Sequence, residues 1–393
     1  MQPAFSKNIA KLSGNVIREI LKLTQQTDII SFAGGMPPDD SFPIEALKDI
    51  SSKVIDKYGS SIFQYGTSEG FMPLREFIVT WMAAKGVNTV IEEVLITSGS
   101  QQGIDLLSKV FIDSGDGVIL ENPTYLAAIQ IFNLYGARFS PGESDDLGFI
   151  PQSLNKAIEN NISKLLYLVP SFQNPTGISL ARERRQELAE LLSRFDIVMI
   201  EDDPYGDLRY SGEAIIPVKS FDKDRRIVYL GSFSKTIAPG LRVGFAVGPK
   251  DIIRKMVIGK QASDVHSCNL AQAMIYEFCA QGLLKPHIES LIVNYRKKRD
   301  LMLKMINKYF PPSTSWTIPE GGLFIWAKLP DGASASDLFK LAIEEKVAFI
   351  PGNNFYASGG GENSLRLNFS NASEEQIEDG INRLGRALDK YLS

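Results

Sequence analysis

Gly231-Ser-Phe-Ser-Lys235-Thr-Ile-Ala-Pro-Gly-Leu-Arg242-Val-Gly244 sets a lysine among hydroxyls, glycines and an arginine. It lies between two short apolar runs, residues 226–231 and 243–247, that read as β-strands. A loop with one surface lysine is the plainest reading. A P-loop is excluded, because the G-x-x-x-x-G-K-[ST] spacing is absent, and no G-x-G-x-x-G follows the first strand. What remains is a lysine at a strand's end in a setting suited to phosphate. Ser232 and Ser234 can donate hydroxyl bonds, and Arg242 can bind phosphate oxygens two at a time.

The strands beside this loop belong to a longer alternation. Apolar runs at 94–97, 117–121, 164–169, 197–202, 226–231 and 243–247 are separated by helical patterns such as 101–112 and 180–195. The second helix is expected to be capped by Ser179 and to carry Leu188, Leu191 and Leu192 on one face. This alternation predicts an α/β domain with a mostly parallel central sheet flanked by helices, spanning 46–285. Beyond it a helix runs to Tyr309, stops at Pro311 and Pro312, and leads to strands near 323–328 and 364–369. A capping box of Ser373 and Gln376 opens a last helix over 374–391. Residues 286–393, joined by 1–45 with the N-terminal segment, form a small α+β domain.

Composition narrows the function classes. The 393 residues are 44% apolar and 22% charged, with 42 basic against 46 acidic side chains and a net charge of −4, which excludes dominant disorder. Nothing favours nucleic acid; the densest basic cluster, Arg296 to Arg299, reads as a solvated helix face. Cys268 and Cys279 stand about 16 Å apart along a helix of about 1.5 Å rise per residue, so they do not pair. With only His266 and His287, a multi-histidine metal site is out and no recognisable triad remains, so no metal is expected. Met1 to Ala10 lacks a signal core and no run of about 18 apolar residues occurs, so a soluble cytoplasmic protein with no membrane partner is the expectation.

A lysine beside a phosphate anchor suggests a Schiff base to pyridoxal 5'-phosphate, and that idea makes demands elsewhere in the chain. The pyridine nitrogen needs a buried carboxylate at the end of a strand. Ile197-Val-Met-Ile-Glu-Asp202-Asp-Pro-Tyr205 supplies one, although three acids at a strand end could also form a metal site or a solvated turn. Tyr205, and Asn174 in Ser171-Phe-Gln-Asn-Pro-Thr-Gly177, could donate to a phenolate oxygen on the ring; Asn-Pro-Thr-Gly alone reads as a turn.

Taken together and in order, Ser31-Phe-Ala-Gly-Gly35, Tyr65-Gly66, Ser98-Gly-Ser-Gln101-Gln-Gly103, Asn174-Pro-Thr-Gly177, Asp202-x-x-Tyr205, Ser232-x-Ser-Lys235 and Arg366 resemble the class I aminotransferases of the fold-type I pyridoxal-phosphate family. The likeness extends over nearly the whole chain. Ser-Gly-Ser-Gln-Gln-Gly and Glu-Asp-Asp-Pro-Tyr narrow it to the branch of 2-aminoadipate, kynurenine and broad-specificity aromatic aminotransferases.

The resemblance implies that Lys235 binds the coenzyme and acts as the catalytic base, that Asp202 holds the pyridinium, and that Tyr205 assists. It implies that Ser100 and Gln101 at a helix start, with Ser232 and Arg242, cup the phosphate. Tyr125 would stack on the ring, though a loop tyrosine closing over the core is an equal reading. Tyr65 would reach the phosphate of a neighbouring subunit, hence a homodimer. Arg366 would grip the substrate α-carboxylate, near Asn174 and Gly35, against the ordinary reading of an arginine on an exposed strand face. Arg18 would contribute to the side-chain pocket or be solvated, and Phe32, Leu323 and Phe355 would line that pocket. The implied reaction moves an amino group from an amino acid to a 2-oxo acid such as 2-oxoglutarate by a ping-pong route. A lyase or decarboxylase on the same scaffold is the alternative. An aminotransferase-like ligand-sensing regulator is less favoured, since the Ser31 motif leaves little room for a DNA-binding domain before it.

Overall fold

A computed structural model of the chain describes residues 4–10, 12, 20, 28–159 and 163–393. The apolar runs form the strands β1 Val94–Thr97, β2 Gly117–Glu121, β4 Ser163–Leu168, β5 Val198–Asp203, β6 Ile227–Ser232 and β7 Gly244–Val247, with β3 Arg138–Gly142 added between β2 and β4. They assemble in the order β1-β7-β6-β5-β4-β2-β3. β7 runs antiparallel to β1 and β6, and every other pairing is parallel. Every residue of β1 and β2 is buried, as strands covered on both faces by helices require.

β3 escapes the sequence reading for a physical reason. Its Arg-Phe-Ser-Pro-Gly carries a proline and a glycine, which a ladder tolerates at the sheet edge, where β3 lies. Two other expectations need correction. The helix after β4 spans Arg182–Leu192 and starts at Ala181 with no side-chain cap, while the Ser179 hydroxyl accepts the Phe172 N–H at 3.1 Å. Arg299, read as part of a solvated face, is buried: its Nη1 donates to the Pro319 carbonyl at 2.7 Å and its guanidinium lies over Tyr210.

The C-terminal part builds an antiparallel sheet from β8 Ser315–Trp316, β9 Phe324–Lys328, β10 Ile350–Pro351 and β11 Ser364–Asn368, in the order β8-β9-β11-β10. Long helices over Leu284–Tyr309 and Glu374–Leu392 pack on each other and share one apolar cluster with it, the second with its Ser373–Gln376 capping box formed. Ile30–Ser31 pairs in parallel with Val347–Ala348, and the Phe32 carbonyl accepts the Asn368 N–H at 2.9 Å. That attachment lays Ala33 to Gly35 against β11. Among the described residues no helix is long and apolar enough to cross a membrane.

Candidate active site

The loops that leave the carboxyl ends of β1, β2, β4, β5 and β6 gather at one edge of the sheet, where open α/β sheets bind ligands. After β6, the Ser232 hydroxyl accepts the Ser234 N–H at 3.1 Å, while Phe233 and Ile237 sink into the apolar cluster that holds Phe245. These contacts fix Lys235 between them, pointing to the small sheet: its Nζ donates to the Gly35 carbonyl at 2.8 Å. Burial pushes the amine down to about 8, and the positive charges of Arg242 and Arg366 act in the same sense.

After β1 the chain turns through Gly99 into α1, Ser100–Phe111. Gly99 has φ +77° and no side chain caps the helix, so its first N–H groups are free for an anion. Arg242, itself left-handed at φ +54°, donates from Nη2 to the Ser98 carbonyl at 3.1 Å and from Nη1 toward the Ser234 hydroxyl at 3.5 Å. A Cβ on Gly99 would stand 2.6 Å from that Nη2, so only glycine allows the guanidinium to lie on the turn. Helix start, Ser100, Ser232 and Arg242 thus form one cup. Gln101 sits exposed in the first turn.

Asp202, at the end of β5, is 1% exposed. Its Oδ2 accepts the Tyr167 hydroxyl of neighbouring β4 at 2.8 Å, and its Oδ1 has no hydrogen-bond partner among the described residues. Burial pushes the carboxyl up to about 7, opposed by the hydroxyls of Tyr167 and Ser100. Tyr205 and Tyr125 flank it, both phenols raised chiefly by burial, Tyr125 to about 12.

Tyr125 and Asn174 each follow or form a cis X-Pro bond, Asn122-Pro123 and Asn174-Pro175. A clasp joins the two loops: the Gln173 amide donates to the Pro123 carbonyl at 2.7 Å, and the Val169 N–H donates to Glu121 Oε2 at 2.9 Å. Burial pushes Glu121 up to about 8.

Arg366, on β11, is 1% exposed and so not on an open strand face. Its Nη1 donates to Asn174 Oδ1 at 2.8 Å and its Nη2 to the Ala33 carbonyl at 2.7 Å, while Nε has no partner among the described residues. The guanidinium carbon lies 4.3 Å from the ring centre of Phe324 and 5.0 Å from that of Phe355. Burial brings its pKa down to about 10, with Tyr205 and Tyr125 pulling the other way, and among the described residues no carboxylate pairs with it.

The structure therefore brings together Lys235, Asp202, Tyr205, Tyr125, Asn174, Gly35, Ser100, Ser232, Arg242 and Arg366. Tyr65 stands apart, 82% exposed with its ring edge-on to His266. Arg18 lies outside the described residues. Tyr167 and the Glu121–Gln173 clasp leave no mark in the sequence: Tyr167 lies inside an ordinary apolar strand, and no local pattern distinguishes it. Pyridoxal 5'-phosphate asks for a low-pKa amine, an anion cup and a buried acid awaiting a cation. Lys235, the Gly99–Arg242 turn and the partnerless Asp202 Oδ1 meet those needs, so the residues present fit the coenzyme.

Comparison with known proteins agrees with this geometry. The family described as aminotransferase class I and II matches residues 27–384. The aromatic-amino-acid aminotransferase 1 of Thermococcus litoralis is 39% identical over 394 residues, covering 99% of this chain and 94% of its own. The 2-aminoadipate transaminase of Thermus thermophilus is 41% identical over 395 residues, covering 99% and 98%. A solved structure of Pyrococcus horikoshii kynurenine aminotransferase, in complex with PMP, KYN as substrates and KYA as products, superposes with a TM-score of 0.95 at 40% identity over 99% of this chain and 98% of that one. With the family matched over most of its length and the strand-end lysine, acid and arginine in one cluster, this chain belongs to the class I and II aminotransferases.

Proposed function

We propose that this chain uses pyridoxal 5'-phosphate at Lys235 to move the amino group of a 2-aminoadipate, aromatic or branched-chain amino acid to a 2-oxo acid such as 2-oxoglutarate, in ping-pong fashion. The observation that carries the reading is a set of buried groups that the described residues leave uncompensated at one sheet end: an acid with a free oxygen, Asp202, and a guanidinium with no acid, Arg366. The named substrates of the similar proteins point the same way.

Bound coenzyme supplies an electron sink for a substrate Cα bond. Asp202 holds the ring-nitrogen proton in place by its buried charge, and Tyr167 orients that carboxylate. Tyr205 and Asn174 donate toward the ring oxygen, Tyr125 covers the ring face, and Ser100, Gln101, Ser232 and Arg242 hold the phosphate. Arg366 binds the α-carboxylate in a two-toothed grip next to Asn174 and the Gly35 segment, which sets the Cα–H bond toward Lys235. Lys235 Nζ, neutral enough near pH 8 to accept a proton, takes it from Cα and holds it for return. Tyr65, exposed in one subunit, completes the site of a second copy, giving a cytoplasmic homodimer. Arg18 reads an acidic side chain when the substrate carries one.

The test is the absorbance spectrum of the purified protein before and after single amino acids are added without an oxo acid, beside a Lys235→Ala control. Conversion to the pyridoxamine form, reversed by 2-oxoglutarate, supports transamination and ranks donors. Release of ammonia or carbon dioxide without that conversion would instead identify a lyase or decarboxylase.

A further inference from the structure

Lys260, on the helix Lys250–Gln261, is fully buried. Its ammonium has no part in the chemistry described above, yet it is surrounded by oxygen acceptors: Gln102 Oε1 at 2.6 Å, Asp264 Oδ1 and Oδ2 at 3.0 and 2.9 Å, and Ser267 Oγ at 3.0 Å. Burying an ammonium is costly unless every donor is used, and an apolar side chain would pack there at less cost. The turn that supplies these acceptors is itself strained. Val265, a β-branched residue, sits at φ +65°, while the N–H groups of Ser263, Asp264 and Val265 all fold back on the Lys260 carbonyl.

All of this converges on Ser98. Gln102 Oε1, oriented by Lys260, also accepts the Ser98 N–H at 2.8 Å. The Ser98 hydroxyl lies 3.3 Å from Asp264 Oδ2 and 3.2 Å from Ser267 Oγ. The remaining polar group of Ser98, its carbonyl, is the acceptor on which Arg242 Nη2 rests. The same Gln102 is bound at its other end, Nε2 to Asp264 Oδ2 at 2.7 Å, so its amide cannot turn over without losing three bonds at once.

We infer that Lys260 is a positioning residue for the coenzyme phosphate: through Gln102, Asp264 and Ser267 it fixes Ser98, and so the helix start and the Arg242 guanidinium that meet the phosphate. The inference rests on the placement of the phosphate at this turn. It is tested on the full chain by absorbance titration with pyridoxal 5'-phosphate and with pyridoxal, which lacks the phosphate. Lys260→Met should weaken binding of the phosphorylated form by about tenfold, the scale of losing one charge-assisted partner, and leave pyridoxal unchanged. Asp264→Asn, at a partly exposed position, should shift the same ratio by a smaller factor and serves if Lys260→Met does not fold. Equal weakening of both ligands, or none, would overturn the role. Arg242→Ala is the control: if it too leaves the ratio unchanged, the phosphate does not lie here and the inference falls with that placement, whereas an Arg242 effect without a Lys260 effect refutes Lys260 alone.

Discussion

Arg366→Lys keeps the charge of the substrate-facing cation and removes its fork, which makes it the sharpest test of the proposed carboxylate grip. The guanidinium falls from its ordinary 12.5 to about 10, because burial is only partly offset by Tyr205 and Tyr125. Leaving a buried charge unpaired costs several kcal/mol. An α-carboxylate at about 4 Å would return about 4 kcal/mol at an effective dielectric of about 20, so substrate binding reverses a cost of the same size. Lysine cannot bond Asn174 Oδ1, the Ala33 carbonyl and a carboxylate from one plane, nor lie flat between Phe324 and Phe355. Lysine keeps the Coulomb attraction and loses one charge-assisted bond of the fork, about 1.5–3 kcal/mol, which lowers kcat/KM for amino acids by about 10- to 10²-fold. The assay is single-turnover conversion of the coenzyme by an amino acid, run in parallel with the alkylamine that has the same side chain and no carboxylate. The amino acid should lose most of its advantage over the amine. Equal losses with both donors would show that Arg366 only supports the fold, and the reasoning would be wrong.

Three further outcomes follow from the same geometry. Asp202 stands near 7 in the free protein, so below that pH a proton must leave before the acid can hold the pyridinium; coenzyme affinity should weaken toward about tenfold per unit as pH falls through 7, and Asp202→Asn should bind weakly with no such slope, as read by equilibrium titration. Gly99→Ala puts a Cβ 2.6 Å from Arg242 Nη2 at φ +77°, costing about 1 kcal/mol in backbone strain alone, and should speed loss of coenzyme on dialysis; retention equal to the parent would refute the close approach. Arg18→Ala should weaken dicarboxylic substrates more than aromatic ones, and matched losses in KM would remove it from the side-chain pocket.

Strands buried on both faces announce themselves as apolar runs, which is why β1, β2 and β4 to β7 can be read from the chain to within a residue or so, whereas edge strand β3, with Pro141 and Gly142, cannot. Ser179 shows the limit of cap signals: the residue type is right, but its hydroxyl has a better use holding Phe172 in the loop that carries Asn174. Lys235, Asp202 and Asn174 are legible because they stand where apolar runs give way to polar or turn-forming residues. Tyr167 and Lys260 are not: the Asp202 that Tyr167 bonds lies 35 positions away, and the Gln102 through which Lys260 reaches Ser98 lies 158 positions away.

Burial of charge does not by itself mark the site, as two arginines show. Arg185 is 1% exposed, like Arg366. Yet its Nε bonds the Leu180 carbonyl, Nη1 that of Ile216, and Nη2 both the Pro170 carbonyl and the Ser171 hydroxyl. Such a group is closed, and it does structural work by tying the Asn174 loop to the helix behind it. Among the described residues Arg366 has a free Nε and no acid, Asp202 a free oxygen and no cation, and the α1 start no cap. Folding tolerates these three deficits, each of order 1–3 kcal/mol, beside well-bonded surroundings such as the Lys260 cage and the Gln173–Pro123 clasp. The deficits have complementary signs: a cation without an anion, an acid without a cation, and a helix end without an anion. A ligand that brings a carboxylate, a protonated ring nitrogen and a phosphate satisfies all three at once, which is a more specific demand than any one motif in the sequence makes.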